Sequence, residues 1–320
     1  RLWVLQITQS ASYKKMSENN SLSSLPIFAS RGNIYDRNGV PLAWNDTKTD
    51  DAPWGKRVYI DKPGFSHLLG YIGYPAKDSS GNYWQKTING KDGVEKAFND
   101  VLNGVNGSNI VETDIAGKVQ GGAIVDEPIA GENLTLTIDS RLQAEMQKQL
   151  VVYQKQYQYR SASAIMMDVR NGDVIVMTSA PEYDPNVMAL GKDREKIKEY
   201  LTDKNTPLLN RAISGLFTPG SIVKPYVAFE ALQEGVVTPN TLICSCGSIT
   251  VPNPYDPAHP GIFRDYNPNN GIVDIRKALS VSSNIYFMEA AGGYHDQKGI
   301  GIANLGEALK RFGLDQKTGI

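Results

Sequence analysis

The chain has 320 residues, 41% of them hydrophobic, and its 33 basic side chains nearly balance 34 acidic ones for a net charge of -1. That length suggests two domains, and the apolar fraction supports packed cores while excluding a disordered or fibrous chain. The near-neutral charge gives no support to a nucleic-acid partner. His67, His259 and His295 are scattered without ligand spacing, so no metal site is expected and no cofactor is implied. Cys244 and Cys246 would close a very small ring, so they are predicted to remain two separate thiols. No run of about 18 apolar residues offers a membrane span. The opening "RLWVLQI" reads as the cut end of something longer, with a membrane anchor expected upstream of it.

In chain order, residues 11 to 30 form a polar connector ending in "LPIFAS". Asp36-Arg37-Asn38-Gly39 is a turn signal between short apolar runs. "SHLLGYIGYP" is predicted as a buried strand. "GVEKAFNDVLNGVNG" is predicted as an amphipathic helix whose apolar face is Val94, Phe98 and Val101, left at Gly104. "NLTLTID" alternates as a strand. A long helix follows from Asp139 to about Tyr159, with Leu142, Met146, Leu150, Tyr153 and Tyr157 as its apolar spine. "SASAIMMDVRNGDVIVMTSA" is a hairpin turning at Asn171-Gly172, and "DREKIKEYLTD" is a charged surface helix. The boundary between an irregular N-terminal module and a mixed C-terminal module is placed near residue 155.

The chemistry concentrates at "FTPGSIVKPYVAF". A serine hydroxyl is a weak nucleophile until a base lies within hydrogen-bond reach. Helical positions i and i+3 share a face, so Ser221 and Lys224 are predicted to meet without help from a distant segment. A lysine serves as the base when burial and a nearby positive dipole drive off its proton. The helix N-terminus supplies that dipole and offers N–H groups to a developing oxyanion. Gly220 lets a substrate come close, and Pro225 falls early enough that the helix loses little. Downstream, Ser282-Ser283-Asn284 offers a serine to relay the proton and an asparagine to hold a substrate amide.

Ser-x-x-Lys followed by Ser-x-Asn is the signature of penicillin-recognising acyl-transfer enzymes. The chain resembles the class B penicillin-binding proteins, peptidoglycan D,D-transpeptidases, and most of all their elongation type. "RGNIYDRNGVPLA", "HLLGYIG" and "GVEKAFNDVLNG" resemble the family's pedestal motifs, and "NLTLTID" followed by "LQ" resembles the link into its catalytic domain. "PEYDPN", "NRAISGLFTPGSIVKP" and "ALSVSSNIYF" resemble the domain itself. The resemblance implies an α+β fold. Residues 1–25 would be membrane-proximal and 26–125 a pedestal (dimerisation-type) module. Residues 126–155 would be a linker strand and helix. Residues 156–320 would be the N-terminal part of a β-lactamase-like transpeptidase domain, with helices packed on an antiparallel sheet.

The resemblance implies Ser221, Lys224 and Ser282 as catalytic residues and Asn284 as a substrate contact. The substrates would be peptidoglycan stem peptides ending in D-Ala-D-Ala, with β-lactams as inhibitors. A membrane glycosyltransferase of the shape, elongation, division and sporulation family would be the partner. The protein would sit outside the bacterial cell membrane on a single N-terminal anchor.

The sequence departs from the family in three places. Lys317-Thr318-Gly319 follows Asn284 too closely to be the family's third motif, so it is read as a decoy and the functional K-T-G is expected beyond Ile320. The pedestal insertion between "PLAWN" and "HLLGYIG" is short. Asn270 stands where the family often has a histidine. The competing readings are a β-lactamase-like hydrolase and a non-catalytic β-lactam sensor or scaffold.

Overall fold

The computed structural model describes residues 22–47, 53–79, 81, 83–113 and 119–319, so the proposed membrane-proximal segment lies outside the described residues up to residue 21. The chain forms two compact units, Arg1–Leu216 and Phe217–Ile320. Both mix helices with small, mostly antiparallel sheets, as an α+β fold should. Among the described residues no helix is long and apolar enough to cross a membrane.

In the first unit β1 (Leu22–Ile27) precedes an antiparallel set of β2 (Ile34–Tyr35), β3 (Pro41–Asp46) and β4 (Lys56–Tyr59). The predicted turn joins β2 to β3. Asp36 Oδ1 accepts hydrogen bonds from Asn38 N and Val40 N at 2.8 Å each, and Gly39 takes φ +78. An Asx turn closed by a glycine is a purely local device, hence its legibility.

Next comes α1 (Ser66–Leu69), where a strand was predicted. All four of its residues are buried, and a short, wholly apolar-facing run carries no periodicity to separate helix from strand. Only β5 (Ile72–Gly73) extends, paired with β8 (Asn89–Gly90), beside a second ribbon of β6 (Ala76–Lys77) and β7 (Tyr83–Gln85). His67 is buried with Nε2 2.7 Å from Pro207 O, and burial pushes its proton affinity down to about 4.

The predicted pedestal helix is two short ones, α2 (Gly93–Ala97) and α3 (Asn99–Leu102), and of its predicted face only Val94 packs against the core. Phe98 and Val101 are exposed, whereas Glu95 and Leu102 are fully buried. The cause is an ion triad. Glu95 accepts from Arg31 Nε at 2.6 Å and from Arg57 Nε at 2.7 Å, with all three side chains inaccessible to solvent. Charges taken from water must face each other, and this requirement outweighs the apolar stripe.

Strands β9 (Gly107–Thr113) and β10 (Val119–Asp126) join β1 in a three-stranded antiparallel sheet. Of "NLTLTID" only β11 (Leu134–Thr135) is strand, parallel to β2.

Asp139 caps α4 (Ser140–Gln156) by accepting from Arg141 N and Leu142 N, close to the predicted start. The face turned fully inward is again not the apolar spine, of which only Met146 and Leu150 are half-buried. Gln143 and Gln147 are buried, while Leu142, Tyr153 and Tyr157 are exposed. The hairpin of β12 (Ala162–Met167) and β13 (Val174–Ala180), turned at Asn171-Gly172 as predicted, explains why. Gln143 exchanges hydrogen bonds with both backbone groups of Met177, at 2.6 and 2.9 Å. Gln147 accepts from Thr178 Oγ1 at 2.5 Å. Polar backbone on β13 needs partners where water is absent, and the two amides supply them. Helices α5 (Pro185–Leu190), α6 (Arg194–Thr202) and α7 (Arg211–Ser214) complete the unit, and α6 buries no residue, as a surface helix should.

The second unit opens with a 3-10 turn, Gly220–Val223, that runs into α8 (Lys224–Gln233). Strand β14 (Ile243–Ser245) pairs with β17 (Gly271–Val273), and β15 (Ser248–Val251) pairs with β16 (Gly261–Arg264). Helices α9 (Ile275–Ser280), α10 (Asn284–Gly292) and α11 (Ile302–Arg311) follow. The core interleaves Ala228, Ala231, Ala278 and Ala290 with Ile275, Ile285, Tyr286 and Phe287. Small residues let the helices approach, and each buried large side chain contributes about 1.5–3 kcal/mol by leaving water.

The prediction of two separate thiols is corrected here. Cys244 and Cys246 are joined in a disulfide, with Cα atoms 5.1 Å apart. Strand alternation turns both cysteines outward around the buried Ser245, and their Cα separation, shorter than the roughly 6.6 Å between alternate residues of an extended strand, falls within the range a disulfide accepts.

Candidate active site

Ser221 lies exposed in the 3-10 turn, and Lys224 begins α8 with Pro225 in the first helical turn, where no backbone donor is lost. Val227, Ala228 and Ala231 bury one face of α8 against the core, which fixes Lys224 without using its ammonium. Ser282 and Ser283 stand between α9 and α10. Ser283 caps α10 by accepting from Tyr286 N at 3.0 Å. Ser282 takes φ +55, a left-handed conformation that costs a non-glycine residue on the order of 1 kcal/mol.

That backbone turn aims Ser282 at both partners. Lys224 Nζ donates to Ser282 O at 2.7 Å, to Ser282 Oγ at 3.1 Å and to Asn284 Oδ1 at 2.7 Å. Ser282 Oγ donates to Ser221 Oγ at 3.0 Å. All four predicted site residues therefore come together. The expected direct pairing of Ser221 with Lys224 is corrected in one respect. Among the described residues the hydrogen bond to Ser221 Oγ comes from Ser282, and Lys224 reaches the Ser221 hydroxyl through it. The ammonium has turned toward three oxygen acceptors of the distant segment because burial denies it water.

Burial lowers the proton affinity of Lys224 below the ordinary lysine value, and the Asp265 carboxylate opposes that shift. A lysine whose charge is destabilised by desolvation, one hydroxyl away from an exposed serine, can draw a proton off that serine through the intervening hydroxyl. Asn284 is engaged at both ends of its amide. Its Oδ1 holds Lys224, and its Nδ2 donates one hydrogen to Arg264 O at 3.0 Å, leaving the second N–H. A cleft of about 320 Å³ opens beside Ser221, lined by Gly220, Val223, Lys224, Val227, Asn284, Phe287, Met288 and Ala291. Lys317 is exposed past the end of α11 and does not line it.

Sequence reasoning missed a polar group beneath the Ser-x-Asn turn. Asp265 Oδ1 accepts from Asn284 N and, at 3.1 Å, from Ile285 N. Its Oδ2 accepts from Ser245 Oγ, which lies 2.9 Å from Ser283 Oγ and accepts from Asn270 Nδ2 at 3.1 Å. Asn270, noted for replacing a histidine, thus belongs to this group. An isolated aspartate in a polar loop carries no local signal that could have singled it out. Among the described residues no cluster of three or more His, Cys, Asp or Glu side chains is arranged to hold a metal ion.

Residues 162–320 match the penicillin binding protein transpeptidase domain, and residues 53–136 match the penicillin-binding protein dimerisation domain. The peptidoglycan D,D-transpeptidase MrdA of Escherichia coli (strain K12) is 28% identical over 399 residues, covering 100% of this chain and 60% of the relative. MrdA of Haemophilus influenzae is 32% identical over 278 residues, covering 84% of this chain and 40% of the relative. The crystal structure of Pseudomonas aeruginosa PBP2 in complex with WCK 5153 is similar with a TM-score of 0.67 at 30% identity, over 91% of this chain and 56% of that one. The chain thus spans 60% or less of the length of these relatives. Two matched domains in this order, the second holding a Ser-x-x-Lys and a Ser-x-Asn that meet in space, place the chain in the class B penicillin-binding proteins of the elongation type.

Proposed function

We propose that the protein carrying this chain is a peptidoglycan D,D-transpeptidase of cell-wall elongation, working outside the cell membrane. The observation that carries the reading is the hydrogen-bonded series Ser221 Oγ, Ser282 Oγ, Lys224 Nζ. With Lys224 neutral, Ser221 Oγ attacks the carbonyl of the penultimate D-alanine, and its proton passes through Ser282 to Lys224. The peptide bond to the terminal D-alanine breaks, and the proton returns to the departing amine. The ester on Ser221 is then attacked by an amine of a neighbouring stem peptide, which forms the cross-link and frees the serine. The second N–H of Asn284 would hold a substrate carbonyl. A β-lactam acylates the same oxygen by opening its ring amide. The dimerisation-domain match supports this reading over a secreted hydrolase, which needs no such module.

The test is to treat the full-length protein with penicillin and map the adduct by mass spectrometry. One penicilloyl group on the peptide containing Ser221 is expected, and an adduct on another residue overturns the assignment. Read as a decoy, Lys317 changed to alanine is expected to leave the acylation rate within a few-fold. A loss on the order of a hundredfold would place the third motif there.

The N-terminal module is the surface proposed to dock a membrane glycosyltransferase of the shape, elongation, division and sporulation family, so that strand polymerisation and cross-linking occur together. Its exposed apolar residues Ile124 and Val125, with Ile129 just beyond in the linker, suit such contact. Ile124→Lys with Ile129→Lys is expected to reduce co-purification of the glycosyltransferase without lowering the melting temperature. Equal recovery would leave the module as a spacer.

A further inference from the structure

A serine at φ +55 holds that conformation only if its surroundings impose it, and part of the support comes from α9, where Ser282 N donates to Leu279 O at 3.2 Å and Ser283 N to Ala278 O at 2.9 Å. The two side chains that meet Lys224 are not themselves anchored in the core, since Ser282 is exposed and Asn284 half-buried, whereas Ile285 and Tyr286 just beyond them are buried. From the side of α10 the turn is tied by one carboxylate. Asp265 immediately follows β16, its own N donating to Gly247 O at 3.0 Å, and it is 8% exposed. It accepts from the first two backbone N–H groups of α10, on Asn284 and Ile285, and from the buried hydroxyl of Ser245. An anion at a helix N-terminus is favoured both by those unpaired N–H groups and by the helix dipole.

We propose that Asp265 is a positioning residue for this site, a reading that rests on the acyl-transfer function above. Its carboxylate holds the Ser282–Asn284 turn so that both side chains reach Lys224, and its negative charge faces the same ammonium. Asp265 touches neither Ser221 nor a substrate placed on it, and acts through the turn and through Lys224.

A residue that only stabilised the fold would alter the amount of active protein and nothing else. Asp265 also raises the proton affinity of Lys224 against the lowering by burial. The other charged groups on elements packed round α8 are Arg276 and Lys277 of α9, Glu289 of α10, and Glu307, Lys310 and Arg311 of α11. None of them acts on Lys224 as Asp265 does. Because the base must be neutral to accept a proton, the acid limb of the acylation rate reports this charge directly.

The test uses the full-length protein and a fluorescent penicillin, with the acylation rate followed from about pH 5 to 10. Asp265→Asn keeps an oxygen acceptor for the two N–H groups but removes the charge, and Asp265→Ala removes both. Both variants are expected to move the acid limb to lower pH by on the order of one unit. The plateau is expected to fall modestly for Asp265→Asn, and by on the order of tenfold to a hundredfold for Asp265→Ala as the turn loosens. If the alanine variant does not fold, the asparagine variant alone decides, with its melting temperature as the check on folding. A folded Asp265→Asn protein whose acid limb stays in place overturns the proposal, whatever its rate. A wild type that takes no label at Ser221 overturns the transpeptidase reading and this inference with it, so the two failures are distinguishable.

Discussion

Replacing Lys224 with alanine is expected to slow acylation of Ser221 by a β-lactam by a factor of about 10²–10⁴, the range for losing a positioned general base. Two losses combine. The neutral amine that burial makes accessible disappears, and with it the donor that ties Ser282 O, Ser282 Oγ and Asn284 Oδ1 together. The helix itself should survive, because Val227, Ala228 and Ala231 hold α8 to the core and alanine is a good helix former. The wild-type rate is expected to rise with pH as Lys224 gives up its proton, below the ordinary lysine value of 10.5, and the alanine variant is expected to lose that limb. Stopped-flow measurement with a fluorescent penicillin reads both effects. A variant that keeps both the rate and the limb would take Lys224 out of the proton path and leave Ser282 or a water as the acceptor.

Glu95→Gln is expected to destabilise the first unit by about 3–5 kcal/mol, the cost of leaving buried charge uncompensated. The carboxylate lies between two guanidinium groups, with Arg31 Nε at 2.6 Å and Arg57 Nε at 2.7 Å, and no member of the triad reaches solvent. Arg31 is further held by Asn99 and Asn103, and Arg57 by Gly32 O. These neutral acceptors orient the guanidinium groups but cannot balance two positive charges. Desolvation already lowers the proton affinity of Arg31, and the Glu95 carboxylate is the largest influence opposing it. For a unit of this size the loss corresponds to on the order of 10 °C in melting temperature. Adding Arg57→Leu to Glu95→Gln should recover part of it, since one guanidinium fewer is then unpaired. A Glu95→Gln protein within about 1 kcal/mol of wild type by urea unfolding would show that water reaches the triad.

Local chemistry was readable along the chain, and the parts that misled were those decided by a distant group. The Asp36–Gly39 turn, the Asn171-Gly172 hairpin, the Asp139 cap and the solvated α6 each depend on residues within a few positions of one another. The composition of the site was equally legible. Ser221, Lys224, Ser282 and Asn284 carry distinctive types at distinctive spacing, and the fold brings them together.

Which face of a helix turns inward was a different matter. In α4 the apolar spine pointed one way, but β13 presented polar groups that Gln143 and Gln147 satisfy, backbone groups of Met177 and Ser179 among them. In α2, Glu95 turned inward because Arg31 and Arg57, far off in sequence, had nowhere else to place their charge.

The site divides along the same line. By itself the sequence determined that Ser221 and Lys224 lie one helical turn apart, because helix geometry is local. Only the tertiary structure decided that Ser282, in a left-handed backbone, carries the connection between them, and that Asp265 accepts hydrogen bonds from Asn284 N and Ile285 N beneath it. Hydrogen bonds in a water-poor interior go to whatever partner the fold delivers, and sequence spacing does not encode that delivery.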